Sequence, residues 1–160
     1  VGISKVKNKE ELINGINEAL KYDTRIVLEK GIDAREIEVS VMGYNNIEAS
    51  ICGEIKPAKE FYTYSDKYLD GKSTCEIPAN IDSSTMEKIR SIAIKAIDGK
   101  GLARVDFFID KKDGKIYINE INTLPGFTDI SMYPKMWEYS GIKYKDLISK
   151  LIDLAFDAKK

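Results

Sequence analysis

Apolar and polar positions along this 160-residue chain fall into short periodic runs that switch between helical and strand spacing. Asn8 followed by Glu11 is a helix-capping pair, and Leu12, Ile13, Ile16, Ala19 and Leu20 then share one helical face. Ile26-Val27-Leu28 predicts a strand over 25–30. Residues 35–42 alternate, with Ile37, Val39 and Val41 on one side and Glu36, Glu38 and Ser40 on the other. A turn over 43–46 leads to a second strand over 47–55. The period then disappears from 61 to 80, among Ser, Asp, Gly, Lys and Thr around Tyr62, Tyr64 and Tyr68. A long irregular stretch of this kind is either disordered or a functional lid.

Ser84 and Glu87 form a second capping box, ahead of an apolar stripe of Ile89, Ile92, Ala93, Ala96 and Ile97 that ends at Gly99 and Gly101. Strands over 103–110 and 115–122 follow, joined around Asp113-Gly114. Short helical material over 132–139 and a last helix carrying Leu147, Ile148, Leu151, Ile152 and Ala155 complete the order. Strands and helices mixed without strict alternation indicate an α+β class.

The 111–115 connection reads as a three-residue loop, Lys112-Asp113-Gly114, with Gly114 in the left-handed position of a bulge turn. That loop sets Asp106 opposite Glu120 and Arg104 opposite Asn122. On the other, core-facing side it pairs Val105 with Ile121 and Ile109 with Tyr117. A two-residue loop would instead put Asp106 and Glu120 on opposite faces. Two carboxylates directly opposite repel, by about 3 kcal/mol at ~5 Å and an effective dielectric of ~20. One of them is protonated, a nearby Arg or Lys relieves them, or a cation sits between them. Asp106, Glu120 and Asn122 all offer oxygen, which suits Mg²⁺, and Arg104 beside them suits a phosphate or a developing oxyanion. The plain alternative is an exposed polar face whose charges are neutralised in water.

Composition narrows the chemistry further. The chain has no histidine, so it holds no Ser-His-Asp triad, no Cys-His pair and no histidine-bound zinc. With 25 Lys plus Arg against 26 Asp plus Glu, interleaved along the chain, there is no electrostatic footprint for nucleic acid. No apolar run or basic-then-apolar start predicts a membrane span or a signal peptide, so a cytoplasmic location is expected. Cys52 and Cys75 have no metal-ligand spacing and are expected to be two reduced thiols. The chain begins at Val1, which suggests a piece of something longer.

Gly101-Leu-Ala-Arg104-Val-Asp106, followed by Asn119-Glu120-Ile-Asn122-Thr-Leu-Pro125-Gly126-Phe-Thr128, resembles the ATP-grasp carboxylate–amine ligases. Within them it is most similar to the D-alanine–D-alanine ligase family. The resemblance extends to Glu29-Lys30, Arg35-Glu36 and Lys67-Tyr68 and covers nearly the whole chain. It implies an ATP-grasp C-terminal subdomain over residues 1–160, an antiparallel sheet flanked by helices. It also implies ATP-dependent joining of two D-alanines through an acyl phosphate, chemistry that rests on positioning and charge neutralisation and requires no histidine.

By the same resemblance, Asp106, Glu120 and Asn122 match Mg²⁺ ligands, with Mn²⁺ as the alternative ion, and Arg104 matches the arginine that stabilises the tetrahedral oxyanion. Glu29, Lys30 and Ile32 match the segment that reads adenine, and Glu36 matches the acid that holds the ribose hydroxyls. Lys67 and Tyr68 match a lid over the phosphates. Gly126 and Ser131 match the groups that receive the second D-alanine; by itself Ser131 reads as a helix cap. Family members carry an N-terminal domain, a further lysine-bearing strand and a serine- and glycine-rich phosphate loop ahead of this point, and Val1-Gly2 matches that loop's tail. These 160 residues alone are therefore expected to have negligible ligase activity, and the full-length protein is expected to be a homodimer. The enzyme rivals are a D-alanine–D-serine ligase of the vancomycin-resistance type, which shares these motifs, and a glutathione-synthase-like ligase; Lys67-Tyr68 and the stretch from Gly126 to Ser131 argue against the second of these. The non-enzyme rival is a domain that simply binds nucleotide or a divalent cation.

Overall fold

A computed structural model describes residues 1–56, 74–97 and 101–157. Contacts divide the chain into two compact units, Val1–Asp33 and Ala34–Lys160. In the first unit, helix α1 spans Lys9–Ala19. Its start is the expected capping box: Asn8 Oδ1 accepts from the Glu11 backbone N–H at 2.9 Å, and the Glu11 carboxylate accepts from Asn8 Nδ2 and from the Lys7 backbone N–H, both at 2.7 Å. The strand expected over 25–30 does not form. Those residues run irregularly, with Val27 and Leu28 exposed, and they ladder with no described strand. A β-branched run becomes a strand only where a neighbour completes its hydrogen bonds.

The second unit contains β1 (Ala34–Gly43), β2 (Ile47–Lys56), β3 (Thr74–Glu76), α2 (Ser83–Ala96), β4 (Gly101–Asp110), β5 (Ile116–Asn122), α3 (Met132–Tyr139) and α4 (Tyr144–Asp157). The strands form one antiparallel sheet in the order β3-β2-β1-β4-β5. Of the stretch expected to be irregular over 61–80, residues 61–73 lie outside the described residues, and the rest begins with a short edge strand at Thr74. Central β1 is buried on both faces from Ile37 onward, which explains an alternation that is chemical while burial is continuous. Ile37, Val39, Val41, Cys52, Val105 and Phe107 pack with Ile89 and Ala93 of α2. On the other face Met42 packs with Tyr133 and Trp137 of α3 and Leu147 of α4, while Ile55 packs with Met132 and Met136.

The cap of α2 is Asp82, displacing the expected Ser84. Asp82 accepts from the Thr85 backbone N–H at 2.9 Å and from both the Ser84 and Thr85 hydroxyls at 2.6 Å. A carboxylate meets three donors at once through its two oxygens, where a serine hydroxyl has one oxygen with two lone pairs.

Helix α3 is fixed to β1 by reciprocal bonds. The Ser40 hydroxyl donates to the Tyr133 carbonyl at 3.0 Å, and the Tyr133 phenol donates to the Val41 carbonyl at 3.1 Å. The β1–β2 register shifts between Val39 and Val41, and there Ser50 Oγ accepts from the Ser40 backbone N–H at 3.0 Å. A side chain at Gly53 would strike Met132 Cε at 2.4 Å, so the glycine lets α3 lie close on the sheet. These contacts fix where Ser131, just ahead of α3, stands.

Candidate functional site

The β4–β5 hairpin carries the charged cluster. Asp106 lies opposite Glu120, Arg104 opposite Asn122 and Val105 opposite Ile121, as the sequence predicts. The connection differs from the expected one. Asp110 and Lys115 close it, with Gly114 left-handed at φ 71°, so the loop is four residues long. Ile109 then faces Ile116, not Tyr117, and the register shifts back between Asp106 and Phe107, where Asn119 is the extra residue. The longer loop and the bulge offset one another, and the two carboxylates still meet.

Arg104 grips Asp106 with two hydrogen bonds, Nε to Oδ1 at 2.7 Å and Nη2 to Oδ2 at 2.8 Å. Its Nε also lies 3.3 Å from Glu38 Oε2. Asn122 Nδ2 bridges the two opposed carboxylates, 3.1 Å from Asp106 Oδ2 and 3.0 Å from Glu120 Oε1. The Arg104, Glu38 and Asp106 side chains are 12%, 9% and 14% exposed, too dry for water to neutralise them. Burial works against the Arg104 charge, but the Asp106 hydrogen bond and the Glu38, Asp106 and Glu120 charges outweigh it and raise its pKa. Burial pushes the Asp106 carboxyl up, against the pull of Arg104 and with the Glu120 charge adding to the rise.

Glu38 was not among the residues that sequence reasoning singled out. It stands opposite Asp106 on β1, so Glu38, Asp106 and Glu120 form one row of carboxylates across three strands. The only sequence signal was its place in the Glu36-Glu38-Ser40 alternation. That pattern does not say that β1 would pair with β4, which is distant in the chain. Three carboxylates against one guanidinium leave two negative charges, which matches a divalent cation. Among the described residues no three His, Cys, Asp or Glu side chains make a metal cage. Two carboxylates plus an amide, whose oxygen and nitrogen exchange places on a half-turn, are the sparse oxygen set Mg²⁺ uses when phosphates complete its shell. The residues fit such an ion.

Glu36 lies on the same sheet face, two residues along β1 and opposite Phe108. Glu29 and Lys30, both exposed, and half-buried Ile32 belong to the first unit. Lys67 and Tyr68 lie outside the described residues. Ser131 takes the N-cap position of α3, yet its side chain makes no capping bond. Its Oγ instead accepts from the Thr128 backbone N–H at 2.9 Å and lies 2.9 Å from Thr128 Oγ1. Gly126 sits against it, and a Cβ there would come within 2.8 Å of Ser131 Oγ. The structure thus brings Gly126, Thr128 and Ser131 together, adding a threonine that the sequence reading used only as part of a motif.

An antiparallel sheet flanked by helices, with Arg104, Asp106, Glu120 and Asn122 on one face of a hairpin, is the α+β architecture of an ATP-grasp C-terminal subdomain. The family model described as "D-ala D-ala ligase C-terminus" matches residues 1–153. A D-alanine–D-alanine ligase of Thermoanaerobacter sp. (strain X514) is 54% identical over 99% of this chain and 45% of its own length. Among solved structures, the VanG D-Ala:D-Ser ligase of Enterococcus faecalis superposes with TM-score 0.83 at 35% identity, over 96% of this chain and 45% of that one. The D-alanine–D-alanine ligase of Bacillus anthracis complexed with ATP gives 0.77 at 30%, over 96% and 50%. The chain belongs to the D-Ala–D-Ala ligase C-terminal family, and it spans about half the length of the curated relatives it matches.

Proposed function

We propose that the chain is the nucleotide- and cation-binding portion of an ATP-dependent D-alanine–D-alanine ligase acting in peptidoglycan synthesis. The observation that carries this is the Arg104–Asp106–Glu120–Asn122 cluster, in a chain of that family and beside neighbours that include an ATP complex. Residues 1–160 form one ATP-grasp C-terminal domain, completed in the whole enzyme by an N-terminal domain and a phosphate loop. A carboxylate oxygen of the first D-alanine attacks the γ-phosphorus of ATP, and ADP leaves with the electrons of the broken P–O bond. The amine of the second D-alanine then attacks the acyl carbon, phosphate leaves with the C–O electron pair, and the amine loses a proton.

Arg104 donates to the oxyanion of that tetrahedral state; among the described residues no hydrogen bond engages its Nη1, so the guanidinium has a donor to give. Asp106, Glu120 and Asn122 would hold Mg²⁺ or Mn²⁺, which neutralises phosphate charge when bound. Glu29, Lys30, Ile32 and Glu36 receive adenine and ribose, Lys67 and Tyr68 cover the phosphates, and Gly126 and Ser131 receive the second D-alanine. The reaction belongs in the cytoplasm, where ATP is held; no helix among the described residues is long and apolar enough to cross a membrane. The homodimer rests on the family resemblance alone.

Calorimetry of ADP binding to the chain, with and without Mg²⁺, tests the reading. Binding should strengthen with Mg²⁺, and Asp106→Asn with Glu120→Gln should abolish that dependence; binding indifferent to Mg²⁺ sinks it. The VanG neighbour favours D-serine as a second acceptor reading. An assay of the whole-length ligase with D-alanine and D-serine side by side separates the two.

A further inference from the structure

We infer that Glu38 is a positioning residue for Arg104, a second carboxylate that keeps the guanidinium in place when Asp106 turns toward a cation. The inference rests on the proposed role of Arg104 as the donor to the oxyanion. Asp106 is asked to do two things: both its oxygens are engaged by Arg104, and the same oxygens would face a divalent ion. An ion that draws on Asp106 weakens its hold on a guanidinium that is only 12% exposed, and a buried cation without a counter-charge does not stay put.

The neighbours of Arg104 on β1 show where the replacement lies. Directly opposite is Ser40, whose hydroxyl is committed to the Tyr133 carbonyl. Diagonally placed is Glu38, with Oε2 3.3 Å from Arg104 Nε and only 7% of the residue exposed. Arg104 Nε thus stands between two carboxylates from two strands, one of them outside the proposed ligand set. Glu38 touches neither substrate nor ion in this account; it acts through Arg104.

Hydrogen exchange of the Arg104 Nε–H, followed by ¹⁵N NMR on the 160-residue chain without metal, tests this directly. Asp106→Asn imitates an Asp106 whose charge is engaged elsewhere. In that variant the Nε–H should stay protected. Adding Glu38→Gln should then speed exchange at least about tenfold, the strength of an ordinary charge-assisted hydrogen bond. Glu38→Asp in the same background should recover part of the protection, a rescue that a general loss of structure does not give. Equal exchange in Asp106→Asn with and without Glu38→Gln overturns the inference. If the double variant does not fold, Asp106→Asn alone decides: its Arg104 Nε–H should stay within about tenfold of the wild-type exchange rate, and exchange as fast as in the unfolded chain overturns the inference. ADP binding with and without Mg²⁺ reports on the proposed function independently. Its failure leaves the exchange result standing, and failure of the exchange result leaves nucleotide binding standing.

Discussion

Arg104 holds Asp106 through both carboxylate oxygens, at 2.7 and 2.8 Å, although Asp106 also lies opposite Glu120. The guanidinium, together with the Asn122 amide that bridges the two carboxylates, offsets the repulsion of the opposed pair. Arg104→Met should cost about 3–5 kcal/mol, because it leaves buried carboxylates uncompensated. Millimolar Mg²⁺ should recover part of that loss and raise the thermal midpoint of the variant more than that of wild type, since a bound ion stabilises the folded state by mass action. Calorimetric melts with and without Mg²⁺ measure both effects. No Mg²⁺ shift in either protein would show that the cluster has no affinity for the ion, and equal non-zero shifts would show that Arg104 does not compete with it.

A second buried pair predicts an acid limb. Arg35 donates to both Glu54 oxygens, at 2.8 and 2.7 Å, and to the Asn80 carbonyl at 2.8 Å, joining β1, β2 and the approach to α2. The Arg35 hydrogen bond holds the Glu54 carboxyl below its ordinary value of 4.5, against the opposing effect of burial. With the folded value depressed, the contribution of the pair is complete above pH 4.5 and drains away as pH falls through the lowered value. Glu54→Gln should therefore cost about 2 kcal/mol near neutrality, at the modest end because the Arg35 side chain is 32% exposed. Denaturant titrations from pH 7 to pH 3 should show wild type and variant converging. A constant gap across that range contradicts the account.

The thiols differ in a way reagents can read. Cys52 is fully buried beneath α2, and burial pushes its thiol up to about 12, whereas Cys75 is exposed on edge strand β3. An aromatic disulfide reagent at pH 8 should therefore consume one thiol per chain quickly and the second only on unfolding. Cys75→Ser should remove the fast phase. Two fast thiols would mean that the α2 face opens readily.

What the sequence made legible follows from how local each signal is. The Asn8–Glu11 box and the opposition of Asp106 to Glu120 depend on residues close in the chain, and both are present. The opposition holds although the loop is one residue longer than the three-residue reading; Asn119, an unremarkable polar residue, absorbs the difference, and nothing in its type announces a bulge. Ser84 alone is named by its spacing to Glu87, whereas the cap is Asp82, two residues earlier, and only the path of the backbone selects it. Glu38 was illegible as a site residue because its meaning comes from the β1–β4 pairing, which joins segments some sixty residues apart. The missing strand at 25–30 shows the converse, a good local pattern with no partner to complete it.

Gly126 and Ser131 give the sharpest test of local geometry. The Ser131 hydroxyl occupies the space a Cβ at Gly126 would need, 2.8 Å away, and it accepts from the Thr128 backbone N–H. Gly126→Ala should rotate the hydroxyl out of that position and leave the Thr128 N–H without its acceptor. Exchange of the Thr128 amide should then quicken about tenfold, the worth of one hydrogen bond. Ser131→Ala removes the acceptor outright and should have the same effect. Because both changes break one bond, the double variant should exchange no faster than Ser131→Ala alone, a fully non-additive cycle. Additive acceleration would mean that Gly126 acts on the Thr128 turn by some route other than the Ser131 hydroxyl.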